Sequence, residues 1–125
     1  MIHGIGIDIV SIPRIERILE RWGPFFTERV FTPAEIAFCE SKSNPGQHFA
    51  LRWAVKEALL KALGSGLMGG IKWTDIEVVN DPSGRPSLEI HNQAKGFLAD
   101  RNIKAAFVSI SHERDYGVAQ VILEV

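Results

Sequence analysis

The chain has 125 residues, of which 46% are hydrophobic and 23% are charged, and its formal net charge is −1. This size and composition are typical of one globular domain, residues 1–125, with a single hydrophobic core. The near-zero net charge excludes a general attraction to nucleic acid or to a membrane surface, so a charged partner must be recognised by a local patch.

Cysteine content and hydropathy predict a cytoplasmic protein. Cys39 is the only cysteine, so it cannot form an internal disulfide, and a reducing compartment suits it. Asp8 interrupts the apolar run near the N-terminus, and no stretch approaches the roughly 18 apolar residues that a membrane span needs. We therefore expect neither an export signal nor a membrane-spanning segment.

Residues Ile2 to Val10 have the alternating pattern of a β-strand. One face carries isoleucines, while the other carries Gly4, Gly6 and Asp8. The two glycines leave space over the sheet for a ligand or for another backbone. Asp8 beside that space fits two roles, a cap for the next segment or a metal ligand, and the strand alone does not choose between them.

The next segment is predicted to be a helix that ends near Trp22, because Ser11 can cap its N-terminus and Gly23-Pro24 stops it. Its charges are separated by sign around the axis, with Arg14, Arg17 and Arg21 on one flank and Glu16 and Glu20 on the other. Such a helix presents either an ordinary solvated face or a docking surface for an acidic partner.

A short helix is predicted from Pro33 to about Ser41, because Thr32 and Glu35 have the spacing of a capping box. The longer central helix, residues 52–65, is apolar around almost its whole circumference, so it should be buried. It nevertheless carries four charged residues, which are Arg52, Lys56, Glu57 and Lys61.

Glu57 and Lys61 lie one turn apart on the central helix, beside the small residues Ala50 and Ala54. The alternatives for these two charges are an ordinary ion pair and a binding site in the space that the alanines leave. The glycine-rich stretch 64–69 matches G-x-G-x-x-G, but a dinucleotide site requires that motif after a strand and before a helix. Here it follows a helix, so we interpret it as a flexible loop beside Glu57 and Lys61.

The rest of the chain predicts four strands and one helix: strand 73–79, turn 80–85, strand 86–90, helix 92–101, strand 104–111 and strand 116–124. The first two of these strands should form a hairpin, and segregated hairpins and helices indicate an α+β fold.

His112 lies at the end of the predicted strand 104–111. A lone histidine in that position is more often a structural residue than a catalytic one.

The carboxylates of Asp8 and Glu57 are each expected to face a space cleared by small residues, with cations nearby at Lys61 and Arg52. Magnesium prefers oxygen ligands, commonly takes one or two protein carboxylates, and completes its coordination with water and substrate phosphate. Lys61 would neutralise phosphate charge that grows in a transition state. These residues predict magnesium-dependent chemistry on a phosphate or pyrophosphate and do not name the substrate.

Three blocks of the sequence resemble the holo-acyl-carrier-protein synthases, the small bacterial-type 4′-phosphopantetheinyl transferases. The blocks are Gly4-Ile5-Gly6-Ile7-Asp8, the stretch 52–58 with Lys61, Gly64 and Gly66, and Ser109-Ile110-Ser111-His112 with Tyr116. The resemblance implies an antiparallel sheet packed against helices and a homotrimer with its sites at subunit interfaces. It also implies transfer of phosphopantetheine from coenzyme A to a serine of an acyl carrier protein.

The resemblance implies roles for single residues. Asp8 and Glu57 match the family's Mg²⁺ ligands, and Lys61 matches a lysine near the pyrophosphate. The positions expected to line the coenzyme A site are Arg52, Gly64, Ser65, Pro86 and His112. Arg14, Arg17 and Arg21 match the helix that docks the acidic carrier protein. Glu57, directly or through a water, is the first choice for the general base, and His112 is the second.

Two other functions use the same residues. A magnesium-dependent nucleotide or pyrophosphate hydrolase would need the same carboxylates and lysine. A non-catalytic protein that binds coenzyme A or a carrier protein would need only the binding residues. The sequence assigns no role to Lys56.

Overall fold

The computed structural model describes all residues, 1–125, and contains five strands and five helices. In chain order these are β1 (Ile2–Ser11), α1 (Ile12–Trp22), α2 (Pro24–Val30), α3 (Pro33–Glu40), α4 (Pro45–Leu63), β2 (Ile76–Asn80), β3 (Pro86–Ile90), α5 (Asn92–Asp100), β4 (Ala105–His112) and β5 (Tyr116–Glu124). The predicted α+β class is confirmed.

The strands form two antiparallel sheets. The larger sheet has the order β1-β5-β4, and Asp8 of β1 lies opposite Ala119 of β5. The smaller sheet is the β2–β3 hairpin, in which Glu77 lies opposite Glu89. The hairpin and the antiparallel arrangement are therefore as predicted.

The central helix α4 packs on one face of the larger sheet, and two glycines of β1 make this close approach possible. A Cβ atom at Gly6 would overlap the carbonyl oxygen of Ala58, and one at Gly4 would overlap that of Ala62. The space over these glycines is therefore filled by the backbone of α4, and the alternative of a ligand there is wrong. Val10, Ala119, Val121 and Leu123 belong to the core on the same side.

The opposite face of the larger sheet is exposed and apolar. Ile5, Ile7 and Ile9 are 54%, 56% and 68% exposed, and Phe107 of β4 is 48% exposed. Isolated apolar side chains are common on protein surfaces, but a row of them on one sheet face marks an interaction surface.

A buried ion pair joins α3 to α4. Lys56 Nζ lies 2.7 Å from Glu35 Oε1, and both side chains are fully buried. The ammonium also donates to the carbonyl oxygens of Val30 and Trp73, at 2.6 and 3.1 Å. Glu35 Oε2 accepts from the Val78 amide at 2.9 Å. Lys56 is thus explained as a structural residue that connects four segments of the chain.

The structure differs from the sequence predictions in three segments. Helix α2 was not expected, because Gly23-Pro24 was interpreted only as the end of α1. Pro24 is also the first residue of α2, a position that suits proline. Helix α4 begins at Pro45, well before residue 52, where the central helix was expected to begin. The strand expected from Trp73 begins at Ile76, since a 3₁₀ turn occupies Trp73–Asp75. The predicted caps are confirmed: Ser11 and Thr32 cap α1 and α3, and Gly64 ends α4 in the left-handed conformation.

Candidate active site

A cavity of about 360 Å³ lies between β1, α1 and α4. Its polar lining includes Asp8 from β1, Arg14 from α1, and Glu57 and Lys61 from α4. The structure thus brings together the two carboxylates and the lysine that the sequence proposes for phosphate chemistry. We call this space the acidic cavity.

Lys61 pairs with Asp8 and not with Glu57. Its Nζ atom lies 3.0 Å from Asp8 Oδ1 and 3.0 Å from the carbonyl oxygen of Ile7. The i,i+4 ion pair of Lys61 with Glu57, one of the two alternatives from the sequence, is absent, because β1 runs beside this face of α4 and offers two better-placed acceptors. The Lys61 side chain is half exposed, so the pair contributes little stability and its ammonium is accessible.

Glu57 has no hydrogen-bond or ion-pair partner in the structure. Partial burial and the nearby Asp8 carboxylate raise its pKa above the ordinary value, and Lys61 only partly opposes this. Two carboxylates thus face one cavity, and the Lys61 ammonium is paired with only one of them, Asp8. Such a donor set suits a divalent cation, which would relieve their repulsion.

A second cavity of about 560 Å³ contains three of the residues expected to line the coenzyme A site, Arg52, Pro86 and His112. Lys42, His48 and Asn80 line it as well. We call it the basic cavity. The acidic and basic cavities share no lining residue, so within one chain Arg52 and His112 are separated from Glu57.

Arg52 is held rigidly in the basic cavity. It is 5% exposed, its guanidinium carbon lies 4.0 Å from the centre of the Phe38 ring, and its Nη2 donates to Asn80 Oδ1 at 2.7 Å. His112 is more exposed, and its Nε2 lies 3.2 Å from Gln47 Nε2. This contact holds the imidazole of His112 against the side chain of Gln47 at the rim of the basic cavity.

The remaining cofactor-site candidates, Gly64 and Ser65, lie in the loop after α4 and line neither cavity. Ser65 Oγ donates to the carbonyl oxygen of Gly66 at 3.2 Å. Further along, Gly69 approaches the Phe97 ring of α5. Within one chain, therefore, the glycine loop lines neither the cavity that contains Arg52 nor the cavity that contains Lys61.

The arginines of α1 border an apolar patch that the sequence did not predict. Arg14 lines the acidic cavity, while Arg17 and Arg21 are exposed. Next to them, Trp22 is 52% exposed and Phe25 is 85% exposed. Phe25 lies on α2, so the patch could be found only by recognising that helix. We call these residues the basic-apolar surface.

A group of possible metal ligands outside the two cavities was also missed. Ligand atoms of Glu77, Glu89 and His91 lie within 4.8 Å of one another. Glu77 already accepts from Thr32 Oγ1 at 2.6 Å and contacts His91 Nε2 at 3.0 Å. The period-two spacing of positions 89 and 91 places them on one strand face, but only the hairpin register reveals Glu77 beside them.

None of the helices is both long enough and apolar enough to cross a membrane.

Comparisons with known proteins agree along the whole chain. The family described as the 4′-phosphopantetheinyl transferase superfamily matches residues 4–121. The holo-[acyl-carrier-protein] synthases of Geobacter metallireducens and Geobacter sp. (strain M21) are 49% and 47% identical to it over 124 residues. These alignments cover 99% of this chain, and 98% and 99% of the two relatives.

Solved structures give the same result. The holo-[acyl-carrier-protein] synthase of Neisseria meningitidis superimposes with a TM-score of 0.93 at 34% identity, covering 100% of both chains. The Helicobacter pylori enzyme, solved in complex with coenzyme A, gives 0.84 at 35% identity and covers 96% of this chain and 99% of its own. The chain therefore belongs to the 4′-phosphopantetheinyl transferase superfamily and, within it, to the holo-[acyl-carrier-protein] synthases.

Proposed function

We propose that this protein transfers the 4′-phosphopantetheine arm of coenzyme A to a serine of apo acyl carrier protein and releases adenosine 3′,5′-bisphosphate. The observation that carries the proposal is the full-length match to holo-[acyl-carrier-protein] synthases. The acidic cavity supports it, because Asp8, Glu57 and Lys61 meet there. We assign the activity to one domain, residues 1–125, and to the cytoplasm, where the free thiol of Cys39 stays reduced.

Mg²⁺ fits the acidic cavity. Glu57 is free to ligate it, and Asp8 Oδ2 takes no part in the contact with Lys61. Burial and then repulsion from Asp8 raise the pKa of Glu57. Asp8 and Glu57 would hold the ion, which supplies charge neutralisation at the pyrophosphate when bound. Lys61 would then bind the same pyrophosphate with its accessible ammonium and stabilise the negative charge that grows there.

Glu57 is the better candidate for the general base. It would accept the proton of the carrier serine, directly or through a water, while the serine oxygen attacks the β-phosphorus and the bisphosphate leaves. Its carboxylate suits this role because it faces the cavity and no hydrogen bond or ion pair within the chain occupies it. His112 is less suited, since Gln47 occupies its Nε2 and it lines the other cavity.

One assay tests the transfer. The protein is incubated with apo acyl carrier protein, coenzyme A and Mg²⁺, and the intact mass of the carrier is recorded. We expect the carrier to gain one phosphopantetheine arm. Breakdown of coenzyme A without that gain would indicate a hydrolase, and an unchanged carrier with intact coenzyme A would indicate a binding protein. Either result would contradict the proposal.

We further propose a homotrimer in which the acidic cavity of one chain and the basic cavity of its neighbour form one site. Two observations support this assembly. The two cavities are separate within a chain, although both contain residues expected at the coenzyme A site. The exposed isoleucine face of β1 also needs a cover, and each buried isoleucine contributes roughly 1.5–3 kcal/mol.

The trimer leads to a prediction for Ile7, whose side chain lies on the exposed sheet face. Ile7→Asp places a charge in the middle of the proposed interface, so we expect monomers and a loss of transfer activity. Sedimentation velocity measures the oligomeric state. Lys95→Asp, on the exposed side of α5, is the matched control and should leave the assembly intact. An Ile7→Asp protein that remains trimeric would contradict this interface.

The basic-apolar surface is proposed to dock the carrier protein. Arg14, Arg17 and Arg21 would contact carrier acids, and Trp22 and Phe25 would cover apolar carrier side chains. Charge complementarity selects an acidic partner, and the position of Arg14 in both this surface and the acidic cavity brings the docked serine close to Glu57.

Arg17→Glu tests this surface, because Arg17 is exposed and lines neither cavity. We expect the KM for the carrier to rise about tenfold and to depend less on salt concentration, with little change in kcat. The KM for coenzyme A should not change. Lys104→Glu, an exposed reversal outside the surface, is the control. An equal effect from both variants would mean that only the net charge matters.

A further inference from the structure

The basic cavity has more positive than negative lining groups, and they come from separate elements. Its side chains that carry or can acquire positive charge are Lys42 after α3, His48 and Arg52 on α4, and His112 on β4. Asp81 of the β2–β3 loop is its only acidic lining residue. That carboxylate already accepts from Ser83 and from the Arg85 amide, at 2.5–2.9 Å. The cavity is therefore built for an anion.

Arg52 provides a second, independent sign of a ligand. Arg52 is only 5% exposed, and its buried Nε–H has no hydrogen-bond partner. An unpaired buried donor is costly, so such a group is normally satisfied by a ligand or by ordered water. Phe38 and Asn80 hold the guanidinium in place. The positive charge of the cavity is thus fixed before an anion enters.

His48 lies one helical turn before Arg52 and contacts the same aromatic ring. Its imidazole is edge-on to Phe38, with 5.7 Å between ring centres, and it is half-buried. Burial, together with the charges of Arg52, Lys42 and His112, lowers the pKa of His48 below its ordinary value. While the cavity holds no anion, the ring therefore loses its proton more readily than a free imidazole does.

We propose that His48 is a further phosphate-binding residue, which takes up a proton from solvent when a phosphate group of coenzyme A enters the basic cavity. A phosphate reverses the sign of the local field, which favours the charged imidazole. The imidazolium then donates a charge-assisted hydrogen bond to a phosphate oxygen. This inference rests on the assignment of the basic cavity to coenzyme A under the proposed function.

The sign of the pH dependence follows from the proton taken up. Because the complex binds one more proton than the free protein, the affinity for coenzyme A falls as pH rises between the free and bound pKa values of His48. The change is at most about tenfold per pH unit for one proton. The phosphate monoester of coenzyme A also titrates near pH 6, so the comparison must be made between variants.

His48→Gln keeps a polar side chain of similar reach that does not titrate. We would measure coenzyme A binding by calorimetry near pH 7 in two buffers of different ionisation enthalpy, which gives the number of protons taken up. The KM for coenzyme A would be followed between about pH 6 and pH 8. Lys95→Gln is the control, since Lys95 is exposed on α5, outside the proposed interface, and lines neither cavity.

We expect proton uptake in the wild type and in Lys95→Gln, a loss of that uptake in His48→Gln, and a flatter pH profile of KM in the His48→Gln variant. Equal uptake in His48→Gln, or none in the wild type, would overturn the proposal. Repeating the titration with 3′-dephospho-coenzyme A identifies the phosphate: uptake persists if the pyrophosphate enters the cavity and disappears if the 3′-phosphate does.

The inference and the proposed function can fail separately. Uptake that depends on His48, in a protein that leaves the carrier mass unchanged, would support this inference and contradict the transferase activity. Modification of the carrier without such uptake would support the activity and overturn the role of His48.

Discussion

Replacing Glu57 with glutamine will reduce phosphopantetheine transfer by roughly 10²–10⁴-fold, the range expected for the loss of a general base. The amide keeps the size of the side chain but cannot accept the serine proton and is a poorer ligand for Mg²⁺. Initial rates from carrier mass measure the effect. Glu40→Gln, an exposed neutralisation at the end of α3, is the control and should retain full activity.

The same variant should not lose stability. Glu57 makes no hydrogen bond or ion pair, and burial and Asp8 raise its pKa, so its negative charge is unfavourable in the folded protein. For an acid whose pKa is raised on folding, this cost is present above the folded pKa and disappears below the unfolded one. At neutral pH, Glu57→Gln should therefore have a Tm equal to or above that of the wild type. Normal turnover would disprove both roles assigned to Glu57.

Lys56→Met will be the most destabilising of the substitutions considered, by about 3–5 kcal/mol. It leaves the buried Glu35 carboxylate without its counter-charge and removes the donor from two carbonyl oxygens, those of Val30 and Trp73. Urea unfolding gives the loss of free energy. The Tm should fall by roughly 10–20 °C for a domain of this size.

The double variant Glu35→Gln/Lys56→Met separates the lost counter-charge from the lost packing. Without a buried charge to compensate, we expect it to be more stable than Lys56→Met alone, although Glu35 also accepts from the amides of Thr32 and Val78. A single-variant loss below about 1 kcal/mol would mean that water reaches Glu35 and the pair contributes little.

The sequence predicted the residues of the acidic cavity better than their contacts. Asp8, Glu57 and Lys61 could be identified because a charge on an apolar strand or helix needs a reason, and local patterns reveal such charges. The partner of Lys61 could not be identified, since only the packing of β1 beside α4 places Asp8 within 3.0 Å of its ammonium.

Lys56 shows the same limit more clearly. Its partner is 21 residues away on another helix, and Glu35 already had a satisfactory local explanation as part of a capping box. Both explanations are correct, because one carboxylate oxygen of Glu35 accepts from the Thr32 amide and from Lys56, and the other accepts from the Val78 amide.

The exposed Phe25 was missed for a different reason. Gly23-Pro24 ends helix α1, but Pro24 also begins helix α2, which carries Phe25.

The two glycines of β1 also determine where the carboxylates lie. Ala62 stands over Gly4 and Ala58 stands over Gly6, so a step of two residues along the strand matches one turn of the antiparallel helix. Two residues of the strand span about 6.6 Å and four residues of the helix span about 6 Å, so the two repeats nearly coincide. The next inward residue of the strand is Asp8, and Glu57 adjoins Ala58. Backbone periodicity, before any side chain is considered, therefore sets the spacing of the two acids.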